Sequence, residues 1–233
     1  MAVILHIETA TNICSVALSE KEEIIGFKET DKPNAHSEML TVFVQDVLSE
    51  AGISLAALDA VCVSSGPGSY TGLRIGVSVA KGLCYALSKP LISIGTLAAM
   101  AYGAKENNDI RQGAVWFCPM LDARRMEVYC ALYNNKMQEV QPPSAKIIDA
   151  HSFTDVPPDQ PLILFGNGMD KCRHFFEDNP MISFLDRYEV SARNMVLPAL
   201  AKFHAQDFEN VAYFEPHYLK DFIAGKPNVK GLK

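Results

Sequence analysis

Apolar residues come in short blocks through the first thirty positions. Val3 to Ile7, Ile13 to Leu18 and Ile24 to Lys28 are separated by polar turns at Thr11-Asn12 and Glu20 to Glu23. Blocks of this length bounded by turns predict three β-strands joined as hairpins. The period then lengthens. Leu40, Val44, Val47 and Leu48 fall at i, i+4, i+7 and i+8, one helix face, with Asn34 as the predicted N-cap, Glu38 in the first turn and Gly52 as the stop. Ala60 to Ser64 predicts a strand, Thr71 to Leu87 a helix, Leu91 to Ile94 a strand and Thr96 to Lys105 a further helix. The second half repeats the opening, with strands at Ala114 to Met120, Glu127 to Tyr133, Met137 to Val140 and Leu162 to Phe165, then a helix at Met169 to Phe176. The pairs Pro142-Pro143 and Pro157-Pro158 predict loops, because proline has no amide hydrogen with which to extend a ladder or a helix.

Hairpin-linked strands are antiparallel and helix crossovers make parallel pairs, so the pattern predicts an α/β fold with mixed sheets in two similar halves. Residues 1–104 are expected to form the first subdomain, rejoined by 212–233, and 105–211 the second, with Lys105 to Arg111 as a polar linker. The chain is long enough for one large core or two modest ones. At 48% hydrophobic and 21% charged residues it is not globally disordered, and no run approaches the ~20 apolar residues of a membrane helix. His6 and Glu8 follow too early for Met1 to Leu5 to start a signal peptide, so a cytoplasmic location is expected. Six cysteines without a C-x-x-C pair are expected to be reduced core thiols.

The stretch from Val61 to Gly76 holds the candidate chemistry. Three glycines and a proline, Gly66-Pro67-Gly68 and Gly72, stand between an apolar strand and a helix, where a backbone can approach another group closely. It is not a Walker A loop. Five residues separate Gly66 from Gly72 instead of four, and Leu73-Arg74 replaces the phosphate-binding Lys and the metal-binding Ser/Thr. The GPGSYTGLR core resembles the signature of the TsaB (YeaZ) family, bacterial proteins required for the threonylcarbamoyladenosine modification of tRNA. Four more segments are similar to that family in the same order: Ile4 to Thr11, the first strand and turn; Asn34 to Leu40, an HSExL-type helix; Leu121 to Tyr129, a DAR-x-x-EVY hairpin; and Pro216 to Lys220, a P-x-YLR tail with Lys for Arg.

The resemblance implies a duplicated actin-like, ribonuclease-H-like fold, shared with sugar kinases and Hsp70. It implies a non-catalytic activating subunit of the machinery that modifies adenosine 37 of tRNA, paired with a TsaD-like catalytic subunit and joined by a small TsaE-like ATPase. This chain would require no cofactor, ATP and metal being bound by the partners, and would form a homodimer when alone. Its net charge of −6 argues against holding tRNA by its own field, so tRNA would be reached through the complex. Two other readings compete: an independent actin-like ATP-dependent phosphotransferase using Glu8 and Gly66 to Gly72, and a glycoprotease-like peptidase.

Actin-like ATPases end their first strand in D-x-G-T. Here the turn is Glu8-Thr9-Ala10-Thr11, which lacks the glycine and carries an acid one methylene longer. It is either a structural turn or a site where Glu8, Thr9, Thr11, Gly66, Gly68 and Ser69 contact a nucleotide. The catalytic relatives carry H-x-x-x-H on a helix, whereas the counterpart Gly95 to Met100 has no histidine, and no HExxH encodes a metal site. Asp122, Arg124 and Glu127 either line a cleft or brace their own hairpin through a carboxylate–guanidinium pair. In the helix from Thr71 to Leu87, the side bearing Leu73, Val77, Ala80, Cys84 and Leu87 is expected to face the home sheet. Ile75, Val79 and Ala86, with Gly72 and Gly82, form a second side expected to meet a partner. In the tail, Tyr218 and Leu219 offer apolar anchors, and Lys220, Lys226, Lys230 and Lys233 offer charge; a solvated terminus is the alternative.

Overall fold

A computed structural model describes residues 2–106, 115–154 and 156–220. Most of the predicted linker, and Lys226, Lys230 and Lys233 of the tail, lie outside them. The first sheet has the order β3-β2-β1-β4-β5, formed by β1 (Val3–Glu8), β2 (Cys14–Glu20), β3 (Glu23–Thr30), β4 (Ala60–Ser64) and β5 (Leu91–Ile94). The hairpins β1-β2 and β2-β3 are antiparallel, while β1, β4 and β5 are parallel. The second sheet contains β6 (Trp116–Asp122), β7 (Glu127–Tyr133), β8 (Glu139–Ile147), β9 (Leu162–Phe165) and β10 (Ile182–Leu185) in the order β8-β7-β6-β9-β10. Its pairings repeat those of the first sheet, antiparallel in β6-β7-β8 and parallel in β6-β9-β10. This is the duplication that the sequence predicts.

Burial explains the composition of the strands. Leu5 and Ile7 of β1 and Val61 and Val63 of β4 pack beneath α2 (Leu40–Ala51) and α3 (Tyr70–Leu87); Ile4, Ala60 and Cys62 pack on the other face with Ala199 and Leu200 of α5 (Val196–Ala205). Central strands covered on both faces need continuous apolar runs. In the second sheet, Phe117, Leu121 and Phe165 pack with Leu97, Met100 and Ala104 of α4 (Thr96–Lys105). Its opposite face is covered by Met169, Cys172 and Phe176. All six cysteines are buried. Among the described residues, no helix is long and apolar enough to cross a membrane.

Three local expectations are corrected. The first predicted helix is broken into α1 (Ala35–Glu38) and α2, and Asn34 makes no side-chain cap bond. Its φ of 63° lies in the left-handed region, whereas a capping side chain works from extended backbone. Pro142 and Pro143 lie inside β8, at the sheet edge, where the ladder shifts register between Leu132↔Gln141 and Cys130↔Ser144. An edge strand with an irregularity tolerates residues that cannot donate. Met169 to Phe176 forms successive tight turns, Met169 N to Gly166 O and Cys172 N to Met169 O, then a 3-10 turn at Arg173–Phe175. The backbone bonds here run from i to i−3, the 3-10 pattern, rather than from i to i−4.

Candidate functional site

The glycine loop leaves β4 and is fastened on every side. Ser65 N donates to Ile94 O at 2.9 Å, Thr96 N to Gly66 O at 2.9 Å and Ser69 N to Ala10 O at 2.6 Å. The Ser69 hydroxyl caps α3, accepting from Gly72 N at 3.2 Å. The glycines allow a close approach, but by this chain's own first turn. A methyl group on Gly68 would collide with the Ala10 carbonyl, on Gly72 with the Thr9 carbonyl and on Gly76 with the Thr9 hydroxyl. Gly66, at φ +103°, has His217 O only 2.7 Å from where a Cβ would stand. Thr9, Ala10 and His217 thus fill the space beside these glycines.

Glu8 ends β1 with its side chain fully buried. One oxygen accepts from Ala10 N at 2.6 Å, while Oε2 has no hydrogen-bond partner among the described residues. Burial pushes this carboxyl up to about 7, with the Ala10 amide, the Ser64 hydroxyl and the Thr9 amide pulling it back. The Thr9 hydroxyl is buried without a hydrogen-bond partner among the described residues, and Thr11 Oγ1 accepts from Ile13 N at 3.2 Å, closing the turn. Two residues earlier, His6 Nε2 lies 2.8 Å from Ser19 Oγ, and burial lowers its imidazole to about 3. Among the described residues, no three His, Cys, Asp or Glu side chains gather to hold a metal.

The β6–β7 turn carries the second group. Arg124 and Arg125 have φ of 68° and 51°, and Asp122 Oδ1 accepts from Arg124 N at 3.0 Å. The ionic partner of Asp122 is Lys171 at 2.5 Å, a lysine from another segment rather than a guanidinium of its own hairpin, and it holds this carboxyl below the usual carboxylate range. Lys171 also donates to the carbonyls of Arg125 and Glu127, at 3.1 and 2.6 Å. Sequence reasoning missed Lys171, since nothing at position 171 announces a partner 49 residues earlier in the chain. Glu127 pairs with Lys220 of the tail.

The predicted tail residues come to this same place. Tyr218 stacks on Tyr70 with ring centroids 4.8 Å apart, the Arg74 guanidinium lies 4.9 Å from the Tyr70 ring, Leu219 is half-buried, and Lys220 lies 5.7 Å from the Tyr129 ring. The predicted partner face of α3 is divided. Ile75 and Val79 are half-buried against the first core, Gly82 and Ala86 are exposed, and Tyr85 beside them is 84% exposed. Gly72 faces inward against Thr9 and so leaves that set.

The family described as TsaD, tRNA N6-adenosine threonylcarbamoyltransferase, matches residues 13–226. The tRNA threonylcarbamoyladenosine biosynthesis protein TsaB of Escherichia coli K12 is 41% identical over 130 residues, covering 56% of this chain and 54% of that protein. The chain thus spans about half the length of the first curated relatives it matches. The structure of YeaZ from Pseudomonas aeruginosa has a TM-score of 0.76 at 27% identity over 94% of this chain and 100% of that one. Component A of (R)-2-hydroxyglutaryl-CoA dehydratase from Acidaminococcus fermentans, 9% identical with a TM-score of 0.51 over 87% of this chain and 99% of that one, shares the fold alone. The two mixed sheets with their flanking helices are a duplicated actin-like fold.

Proposed function

The chain belongs to the TsaB (YeaZ) family of tRNA threonylcarbamoyladenosine biosynthesis proteins, and from that premise we propose that it is a non-catalytic, activating subunit of the transferase that modifies tRNA adenosine. One observation carries the reading: the glycines that the rival phosphotransferase would have to turn toward ATP are packed against Thr9, Ala10 and His217 of this same chain. Glu8, which stands where such an enzyme keeps its metal-organising acid, is buried with a carboxyl pushed up to about 7. An independent phosphotransferase would have to clear this space before binding ATP.

In this reading the chain acts in the cytoplasm and supplies a surface. The outer side of α3, with Ile75, Val79, Gly82 and Ala86 and the protruding Tyr85, meets a TsaD-like catalytic subunit, or a second copy of this chain when that subunit is missing. A TsaE-like ATPase completes the assembly. ATP and metal are bound by those partners, and the net charge of −6 leaves the grip on tRNA to the complex.

Mixing the purified chain with TsaD-like and TsaE-like subunits, then measuring complex mass and threonylcarbamoyl transfer to tRNA, tests the reading. The isolated chain is expected to show neither ATPase nor transfer activity, and the mixture both a defined complex and turnover. Robust turnover by the pure chain that Glu8→Ala abolishes would replace this reading with the phosphotransferase.

A further inference from the structure

We infer that residues 209–220 form a strap across the mouth of the molecule, held to the second half by a releasable latch at Lys220. The strap starts on the edge of the first sheet, where Glu209 N donates to Leu91 O at 2.8 Å and the Ser93 hydroxyl to the Glu209 carboxylate at 2.5 Å. It then passes α3, whose Lys81 ammonium holds the carbonyls of Ala212 and Phe214 at 3.2 and 2.9 Å. At the glycine loop, His217 N donates to Ser65 O at 2.7 Å and Tyr218 stacks on Tyr70. Only the last described residue reaches the second sheet, with Lys220 meeting the Glu127 carboxylate and, at 3.4 Å, the Ala123 carbonyl.

Both landing points matter. Ser65 follows β4 and Ala123 follows β6, so each lies at the C-terminal end of strands paired in parallel, the edge at which α/β sheets take their ligands. The strap closes that edge. Its attachment is also asymmetric, with four kinds of contact to the first half, whereas the second is met through the Lys220 ammonium, which pairs with Glu127, both side chains about one-third exposed, and reaches the Ala123 carbonyl and the Tyr129 ring. A pair so exposed shifts an equilibrium by only a few-fold and is screened by salt, which makes Lys220–Glu127 the contact that opens first. The strap is thus a lid already closed, latched at one end.

The test is hydrogen exchange on the full chain at low salt, for the wild type, Lys220→Gln, Tyr218→Ala and the charge swap Lys220→Glu with Glu127→Lys. Lys220→Gln is expected to speed exchange of the Ala123 and Glu127 amides, and of Ser65 and Ser69 in the glycine loop, by about 3- to 10-fold. Tyr218→Ala removes the stacking on Tyr70 of the first half, yet must speed the Ala123 and Glu127 amides as well, because the strap end is no longer held over them. The charge swap should return both sets toward the wild type. In the wild type, 0.5 M salt should reproduce the Lys220→Gln pattern, a comparison that stands even if a variant fails to fold. The β1 amides report global unfolding and should not change. Hairpin exchange that ignores both Tyr218→Ala and salt would overturn the latch.

Discussion

Glu8 and His6 share one strand and one face, and burial moves them in opposite ways. The carboxyl, raised to about 7 from an ordinary 4.5, favours the folded state when protonated; its contribution is complete below about 4.5 and is lost as pH rises through about 7. The imidazole, lowered to about 3 from 6.5, favours folding when neutral, so its contribution is complete above 6.5 and is lost as pH falls toward 3. Glu8→Gln keeps an acceptor for Ala10 N and removes the charge. It is expected to stabilise the fold by roughly 2 kcal/mol at pH 8 and to change little at pH 4.5, read by urea unfolding at both values. A difference independent of pH would mean that burial does not raise this carboxyl above its value in the unfolded chain. Two glycines of α3 make opposite predictions. Gly72→Ala drives a methyl group into the Thr9 carbonyl and should cost roughly 3 kcal/mol, whereas Gly82→Ala meets open space and should gain about 0.5–1 kcal/mol in a helix interior. Thermal unfolding of the two proteins decides the signs. In sequence these glycines look alike, and only the strand turn packed beneath one of them tells them apart.

At the scale of elements, α3 was legible in length and in its inner face. Leu73, Val77, Ala80 and Cys84 are buried as their spacing predicts, because a helix crossing a sheet must bury one stripe. Its outer face was less legible. Ile75 and Val79 are half-buried within the chain, so Ile75→Glu or Val79→Glu is expected to cost the monomer about 1 kcal/mol while abolishing association with a second copy or with the TsaD-like subunit. Analytical ultracentrifugation beside a thermal melt separates the two effects, and unchanged association would remove α3 from the interface. Strand β8 teaches a different lesson. Paired prolines read as a loop, yet an edge position with a shifted ladder accommodates them, and edge position is a property of the sheet rather than of the segment.

The two halves of the molecule repeat one strand order, but their coverings differ: α-helices lie over the first sheet, while turns cover one face of the second. The helices also cross between halves. α4 packs on the second sheet, and α5 packs on the first. The tail belongs to this scale, since it spans both halves. Truncation before Pro216 is expected to leave both cores folded and far-ultraviolet dichroism unchanged, because little apolar surface is lost. Transfer activity of the reconstituted complex should fall several-fold, since the latched end of the strap goes with it, Tyr218 and Lys220 included. Full activity in the truncated chain would reduce the tail to a solvated terminus. The sequence by itself determined the duplicated order and the strands other than β10 and most of β8, because periodicity and turn chemistry are local and most strands carry their own burial pattern. The tertiary structure alone decided what the glycine loop touches, which lysines neutralise Asp122 and Glu127, and where the tail lies. Those contacts join residues 49 to about 150 positions apart, as in Asp122 with Lys171 and Gly66 with His217, and no local pattern encodes a partner at that distance.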